Sequence, residues 1–537
     1  MRIPIRKILN IALFGVIFSF LLCSCEVFDS SLDLIIRDGL ILEGTGNPAY
    51  QADLGIKDGL VCEIGQLESK NARQIIDASG LYVAPGFIDV HTHVDRKIDS
   101  EPVVKNYLFQ GVTTVVGGNC GGSRFPLKDL FEKLEKTGIA VNFASLIGHN
   151  TIRREIMGDD DRLPTDGEMI RMQELVRQEV AAGAIGFSTG LGYVPGRYSD
   201  TEEIIGLAKM IQLFHGIYAT HMRNQGTQIK ESIEESIRIG RDAGVVVQIS
   251  HVKLSTEDVW GKIHLITDPI EAAQSQGLEI YMDQYPYTAT SSGFSSSFPG
   301  WAVAGGNDKF IERLQDPDNY QKMKKALIER RLTSQREIDK LNTIYVSYNE
   351  NHHEYEGKNL AEILDLLGRK KTISNAADLI IEMQKTDGPR GVFFQMAEED
   401  VKTIMRVSYN MIGSDGKIEI PGVEVPHPRA YGTFPRVLSH YVRDSGVLTL
   451  PDAIRKMTSL PAQAMDFRHR GILRPSQAAD IVLFDLERIQ DTATFSQPHQ
   501  YPAGIPYVIV NGVLVVDNGE WTEALPGKVL YGLGKKL

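Results

Sequence analysis

Eight short apolar runs, each closing on polar residues, dominate the middle of this chain: residues 84–90, 112–116, 141–147, 184–187, 217–219, 245–249, 278–282 and 411–412. Near-continuous apolar strands suit a sheet covered on both faces, and helices between strands return the chain so that the strands lie parallel. Segments 166–182, 201–214 and 228–243 read as such helices. Eight units of this kind predict an α/β fold, a (β/α)8 TIM barrel over residues 85–469; a doubly wound open sheet is the alternative on pattern alone. The spacing of about 30 residues per unit fails between the seventh and eighth runs, where more than a hundred residues intervene. An inserted α+β subdomain is therefore expected at 295–405, with a strand at 343–348 and a helix near 360–367.

Both ends of the chain have a different texture. Apolar stretches at 32–36 and 54–64 accompany Asp38-Gly39 and Asp58-Gly59, which read as hairpin turns, and similar stretches return at 480–484 and 508–516. The segments 26–84 and 470–537 are predicted to pair into one small β-sandwich domain. A chain of 537 residues with 42% hydrophobic content can support a barrel and a satellite of that size.

The first residues read as a targeting segment rather than part of the fold. Arg2, Arg6 and Lys7 precede an apolar run at 8–22 that ends in Leu22-Cys23-Ser24-Cys25. This resembles a bacterial lipoprotein signal peptide over residues 1–25, with Cys25 as the acylated N-terminus; an ordinary N-terminal membrane anchor is the alternative. Either way the body is exported, and a lipid would tie it to a bacterial membrane, in the periplasm or at the cell surface. Only Cys62 and Cys120 then remain of four cysteines, so an isolated Cys in a Gly-rich loop calls for a chemical explanation. With 69 acidic against 57 basic residues, a formal charge of −12 and no basic stripe, a nucleic-acid partner is not expected.

Barrel enzymes take their reactive groups from the C-terminal ends of the strands. Here those ends read Asp89-Val90-His91-Thr92-His93, Gly118-Asn119-Cys120-Gly121, Thr220-His221-Met222-Arg223, Ser250-His251-Val252-Lys253 and Gly413-Ser414-Asp415-Gly416. His91 and His93, two apart on an extended segment, point to the same side. Singly, His221 reads as a hydrogen-bonded core residue, Cys120 as an apolar filler and Ser414-Asp415-Gly416 as a turn. Together, at one end of five strands, they read as a metal site. Thiolate and imidazole favour zinc over magnesium or calcium, although manganese or iron could substitute in the His pair. Zinc with an open position suits hydrolysis of an amide or related bond, and Asp415 would carry the proton from water to the leaving nitrogen.

The segment Pro85-Gly86-Phe87-Ile88-Asp89-Val90-His91-Thr92-His93 resembles the first-strand signature of the amidohydrolase superfamily. The remaining strand-end motifs, with Ala219-Thr220-His221-Met222-Arg223-Asn224 and Gln248-Ile249-Ser250-His251-Val252-Lys253, are similar to those of the D-aminoacylase (N-acyl-D-amino-acid deacylase) family, from about Leu32 to the C-terminus. The resemblance implies that Cys120, His221 and His251 hold a tightly bound Zn2+ and that His91 and His93 form a weaker or empty second site. It also implies that Asp415 is the catalytic acid/base, that Arg429 in His427-Pro428-Arg429 binds the substrate carboxylate, and that Tyr193 and Lys253 touch substrate. Residues 184–190 offer no Lys to carboxylate, which speaks against the hydantoinase and dihydroorotase pattern.

The expected reaction is hydrolysis of N-acyl-D-amino acids to a carboxylate and a free D-amino acid. A neutral or apolar D-residue is favoured, because residues 290–306 contain no Arg or Lys, where relatives preferring acidic residues tend to supply a cation. Phe294, Phe298 and Trp301 are candidates to line its pocket. Two other readings stand beside this one: an amidohydrolase acting on cyclic amides or dipeptides, and a metal-binding surface lipoprotein without turnover. Asp415 argues against the second, since binding needs no proton shuttle.

Overall fold

The computed structural model describes residues 31–334, 339–385 and 388–536. The leader expected at 1–25, with Cys25, lies outside the described residues. Among them no helix is long and apolar enough to cross a membrane.

The chain opens with β1 (Leu32–Ile41), β2 (Tyr50–Lys57), β3 (Leu60–Gly65), β4 (Ala72–Asp77) and β5 (Tyr82–Pro85). Asp58 and Gly59 both have positive φ, 51° and 78°, and make the two-residue turn between β2 and β3. Asp38-Gly39 does not turn the chain. It sits inside β1 with Asp38 at φ 56°, where the register against β2 shifts between Ile36 and Gly39, so it is a bulge. The bare backbone of Gly39 lets β5 approach, since a Cβ there would meet Val83 at 2.5 Å.

The barrel follows with β6 (Phe87–Asp89), β7 (Val112–Gly117), β8 (Asn142–Ser145), β9 (Ile147–Gly148), β10 (Gly186–Gly190), β11 (Ile217–His221), β12 (Val246–Ile249) and β13 (Ile280–Gln284). The apolar run 84–90 is therefore two strands of two sheets. They part at Gly86, whose Cβ would stand 2.2 Å from Thr113. The run 141–147 also divides, into β8 beside β7 and β9 beside β10, and so carries the barrel across from one arc to the next. After the insertion, β17 (Asn410–Ile412) pairs in parallel with β13. His93 N donates to Gly416 O at 2.7 Å and closes the ring from the end of β17 to the end of β6. Inside, Ile88, Val90, Val116, Ala144, Leu146, Ala219 and Met411 pack together, each larger side chain contributing about 1.5–3 kcal/mol relative to exposure.

The crossover helix Asp166–Ala182 shows why such elements form. Thr165 and Glu168 cap its start reciprocally, and Gly183 ends it at φ 122°.

The insertion has its own sheet and core. β14 (Ala289–Gly293), β15 (Ile344–Tyr348) and β16 (Arg390–Phe394) form an antiparallel sheet in the order β14-β16-β15. Phe294, Phe298, Phe310, Leu364 and Ile380 pack in a separate core beneath it. The insertion expected at 295–405 is thus bounded by β14 and β16, while the helix Glu398–Arg406 packs back on the barrel through Gln284, which donates to Val401 O.

The chain ends with β18 (Ile481–Phe484), β19 (Tyr507–Val510), β20 (Val513–Asp517) and β21 (Glu520–Trp521). β18 pairs antiparallel with β5, which joins both ends of the chain in one nine-stranded sheet, and Leu34, Ile56, Val83, Ile481 and Ile509 share its core. The sheet curls until Gly59 abuts Asn511, where a Cβ would lie 2.9 Å from Asn511 O. Not all of 470–537 belongs to it. Beyond β21 the chain returns to the barrel, with Gly527 N bonded to Ile139 O at 2.8 Å and Phe143 N bonded to Lys528 O at 2.9 Å.

Candidate metal centre

Five of the barrel strands end in donors that meet at one point. His91 and His93 follow β6, Cys120 follows β7, His221 ends β11, His251 follows β12 and Asp415 follows β17. The loop after β7 is folded tightly enough to turn a thiol inward: Gly118, Cys120 and Gly121 have φ of 73°, 54° and 75°. A Cβ on Gly118 would collide with Leu146 O at 2.0 Å. Ser188 Oγ clamps this loop, accepting from Gly121 N at 3.1 Å and donating to Gly118 O.

Cys120, His251 and Asp415 all have left-handed backbone, at φ 54°, 37° and 50°. Such conformations are costly for residues with a Cβ and persist where neighbours enforce them. Here Asp283 Oδ1 accepts from His251 N at 2.9 Å, and Asp415 N donates to His91 O at 2.8 Å.

Tetrahedral zinc with ordinary bonds to imidazole and thiolate separates its nitrogen and sulfur ligands by about 3.6 Å and two nitrogens by about 3.3 Å. Cys120 Sγ lies 3.3 Å from His91 Nε2, 3.5 Å from His251 Nε2 and 3.8 Å from His221 Nδ1. His221 Nδ1 and His251 Nε2 are 2.8 Å apart. His91, Cys120, His251 and Asp415 place one donor atom each within 4.8 Å of one another. His221 joins them through Cys120 and His251. His93 joins through Asp415, its Nε2 being 3.1 Å from Oδ1. The donor set therefore fits zinc, with Cys120 common to a Cys120/His221/His251 group and to a group around His91, His93 and Asp415.

The surroundings favour the ligand forms of these side chains. Burial opposes charge on Cys120, but the imidazoles of His91 and His251 outweigh it and hold the thiol well below its usual range. Burial, with Lys253 alongside, pushes His251 down to about 4, which leaves a neutral ring nitrogen free to bind.

Arg429, Tyr193 and Lys253, expected from the sequence to touch substrate, gather on the same face. Arg429, almost fully buried, sets Nη1 2.8 Å from Asp415 Oδ2 and its guanidinium carbon 4.7 Å from the centre of the Tyr285 ring. Tyr193 packs on His221 with ring centres 4.3 Å apart. Lys253 Nζ donates to Gln225 Oε1 at 2.7 Å and lies 3.2 Å from His251 Nδ1; burial pushes its amine down to about 7. A cavity of about 680 Å³ opens from His251, Lys253, Tyr285 and Asp415 toward the insertion.

Three side chains at this centre were not singled out from sequence. Asp283, fully buried at the end of β13, lies 3.1 Å from His91 Nδ1 and fixes which ring nitrogen faces Cys120. Gln225 reaches His251 Nδ1 at 3.0 Å. Tyr285 has a buried hydroxyl without a partner and lines the cavity. Asp283 directly follows the apolar run 278–282, so the same reading of strand ends would have found it.

Other expectations fall away. Phe294 and Phe298 are core residues of the insertion and Trp301 is exposed, so none of them lines the cavity. The stretch 290–306 does not leave its wall uncharged either, because Arg331 comes over from the insertion to bond Ser296 and Ser297.

Comparison with known proteins places this geometry. Residues 74–209 and 371–516 match the amidohydrolase family. The D-aminoacylase of Alcaligenes xylosoxydans xylosoxydans is 36% identical over 522 residues, which cover 93% of this chain and 97% of that protein. The crystal structure of N-acyl-D-glutamate deacylase from Bordetella bronchiseptica, complexed with zinc and a phosphonate mimic of the tetrahedral intermediate, superposes with a TM-score of 0.79 at 33% identity, covering 94% of this chain and all of that one (100%). A D-aminoacylase structure described for its binuclear metal centre, with one-metal activation and second-metal attenuation, gives 0.79 at 34% identity over 93% of this chain and 100% of that one.

Proposed function

This chain belongs to the D-aminoacylases of the amidohydrolase family, and from its donor cluster we propose that it is a zinc-dependent hydrolase releasing D-amino acids from their N-acyl derivatives. The observation that carries the reading is the convergence of Cys120, His221 and His251, within 2.8 to 3.8 Å of one another, beside the ionisable Asp415. Cys120, His221 and His251 would hold the tight zinc, with His91 and His93 at a second, weaker position. Zinc bound there supplies Lewis acidity, polarising the scissile carbonyl and making water a better nucleophile.

The chain's own groups do the rest. Burial alone would raise the Asp415 carboxyl, but Arg429 and the histidines outweigh it and hold it well below the usual range, so it stands ionised as a base. It takes a proton from the attacking water and returns it to the departing nitrogen. Arg429 offers parallel N–H groups to the substrate carboxylate, and the unpartnered Tyr285 hydroxyl and Lys253 stand where they can share it. Tyr193 closes the cavity over His221 and excludes water from that side.

The test is hydrolysis by metal-analysed protein of N-acetyl-D-methionine, N-acetyl-L-methionine and a hydantoin. Turnover of the D-amide alone is expected; activity confined to the L-amide or the ring defeats the reading.

We also read Cys25 as a lipid attachment site and the protein as exported to a bacterial membrane. The support is the sequence of residues 1–25: basic residues, an apolar run and Leu22-Cys23-Ser24-Cys25. Labelling of cells with a radioactive fatty acid should mark the protein and fail to mark Cys25→Ser.

A further inference from the structure

The cavity above the metal cluster is larger than an N-acetyl amino acid requires. Its inner end is accounted for by Tyr285, Lys253 and Asp415, the last of which Arg429 holds from behind at 2.8 Å. Its outer end is built differently, from Arg197 of the barrel and from Arg330 and Arg331, which the insertion contributes on the helical turn Ile328–Leu332.

Arg331 is held in place entirely by neutral groups. Its Nε lies 3.1 Å from Ser297 Oγ, Nη1 donates to Gln395 Oε1 at 2.9 Å and Nη2 to Ser296 Oγ at 3.3 Å, and its guanidinium carbon stands 4.9 Å over the Phe393 ring. Neither Arg330 nor Arg331 forms an ion pair among the described residues. The acids that also line the cavity are mostly engaged elsewhere: Glu329 reaches Lys325 at 3.8 Å and Asp415 is held by Arg429 at 2.8 Å, which leaves Asp258. Burial and the adjoining Arg330 push the Arg331 guanidinium down to about 10, so its charge is poorly relieved in the free protein. Three of its five N–H groups are used, and the rest can serve an anion. Tyr193 lines the same cavity as Asp415 at one end and Arg331 at the other.

A fixed guanidinium without a counter-ion among the described residues, beside a second one and lining an open cavity, is a receptor for a carboxylate. We infer that Arg331, with Arg330 beside it, binds a second anionic group of the substrate, so that preferred substrates are dianionic: one carboxylate at Arg429, the amide at the metal cluster, and a further carboxylate reaching the insertion. The second carboxylate sits either on the D-residue's side chain or on the acyl group. The inference rests on the deacylase reading and makes the insertion a specificity element of that reaction.

The experiment compares kcat/KM of the zinc enzyme on N-acetyl-D-methionine, N-acetyl-D-glutamate and N-succinyl-D-methionine. The last two carry the extra charge on the side chain and on the acyl arm respectively. At least one of them should exceed N-acetyl-D-methionine by about tenfold or more, the worth of one charge-assisted hydrogen-bonded contact. Arg331→Gln should lower that ratio by about tenfold or more through KM, Arg331→Lys should restore part of it, and Arg330→Gln should lower it less. The arm whose advantage disappears is the one that reaches Arg331. Should Arg331→Gln melt, ionic strength decides with wild-type enzyme: added salt must depress the dianionic kcat/KM more than that of N-acetyl-D-methionine. The inference is overturned if wild-type enzyme handles N-acetyl-D-methionine as well as both dianionic amides, if a folded Arg331→Gln leaves the ratio unmoved, or if salt acts equally on all three. Inactivity on every N-acyl-D-amino acid defeats the deacylase reading itself, whereas activity without charge preference defeats this inference alone.

Discussion

Asp415 Oδ2 and Arg429 Nη1 stand 2.8 Å apart, so the proposed proton carrier and the proposed carboxylate receptor already share an ion pair before substrate arrives. An incoming carboxylate must divide that guanidinium with Asp415, which couples binding at one end of the substrate to the base at the other. Arg429→Ala should therefore raise KM by about 10- to 100-fold, the loss of a bidentate charged contact, and also lower kcat. Arg429→Lys should recover kcat more fully than KM, because a point charge keeps Asp415 ionised but cannot form two parallel hydrogen bonds. Steady-state kinetics of both variants separate the effects.

Asp415→Asn keeps the shape and most hydrogen bonds of the side chain while removing the basic oxygen. A fall in kcat of about 100- to 10,000-fold is expected, with the tight zinc retained. Metal analysis beside the kinetics checks both halves, and loss of the tight zinc in step with activity would make Asp415 a principal ligand instead.

Asp283→Asn should loosen His91, whose Nδ1 lies 3.1 Å from the Asp283 carboxylate, and with it the His91 side of the cluster. A carboxylate behind a ligating imidazole is typically worth about 10- to 100-fold in metal affinity or activity. Zinc competition against a chromophoric chelator measures it; an unchanged affinity and an unchanged rate would leave Asp283 with a purely architectural role.

Removal of the metal should uncover sulfur. Chelation is expected to abolish activity and to add one titratable thiol per chain, and Cys120→Ala should show no such increment. A Cys120 thiol that reacts fully in the active enzyme contradicts a ligand role for it.

Glu419, which is not among the candidate metal donors, predicts a pH dependence of stability. Burial pushes its carboxyl up to about 7 against the pull of Lys417, which lies 3.7 Å away. Between its ordinary value near 4.5 and about 7 the folded chain holds a proton that the unfolded chain has released. Stability contributed by this group is thus complete below that window and declines as pH rises through it. Glu419→Gln should flatten the decline and melt higher than wild type at pH 8, as read by calorimetry across pH 5–8.

The strand ends were legible because each β-strand of the barrel is a buried apolar run with a polar terminus, and the fold then brings those termini to one rim. The helix Asp166–Ala182 was legible to the residue because Thr165, Glu168 and Gly183 punctuate it. Asp38-Gly39 misled because a bulge and a hairpin both ask for positive φ at such a pair; which one forms depends on how β1 registers against β2. The run 84–90 concealed a change of sheet at Gly86, which only the proximity of Thr113 reveals. Arg331 could not be placed from sequence at all. It belongs to a helical turn of the insertion, and its approach to Ser296 and Ser297 is a product of that unit's packing.

The pairing of β5 with β18 sets an order of events during synthesis. β5, which hands the chain over at Gly86 to β6 and His91, lacks one neighbour until residues 481–484 have left the ribosome. A nascent chain truncated in the 470s would hold all six candidate metal donors yet present a bare apolar strand edge, the condition that recruits chaperones or invites edge-to-edge association. Stop codons or proteolytic clipping ahead of residue 481 should therefore be as damaging as lesions at the candidate metal donors.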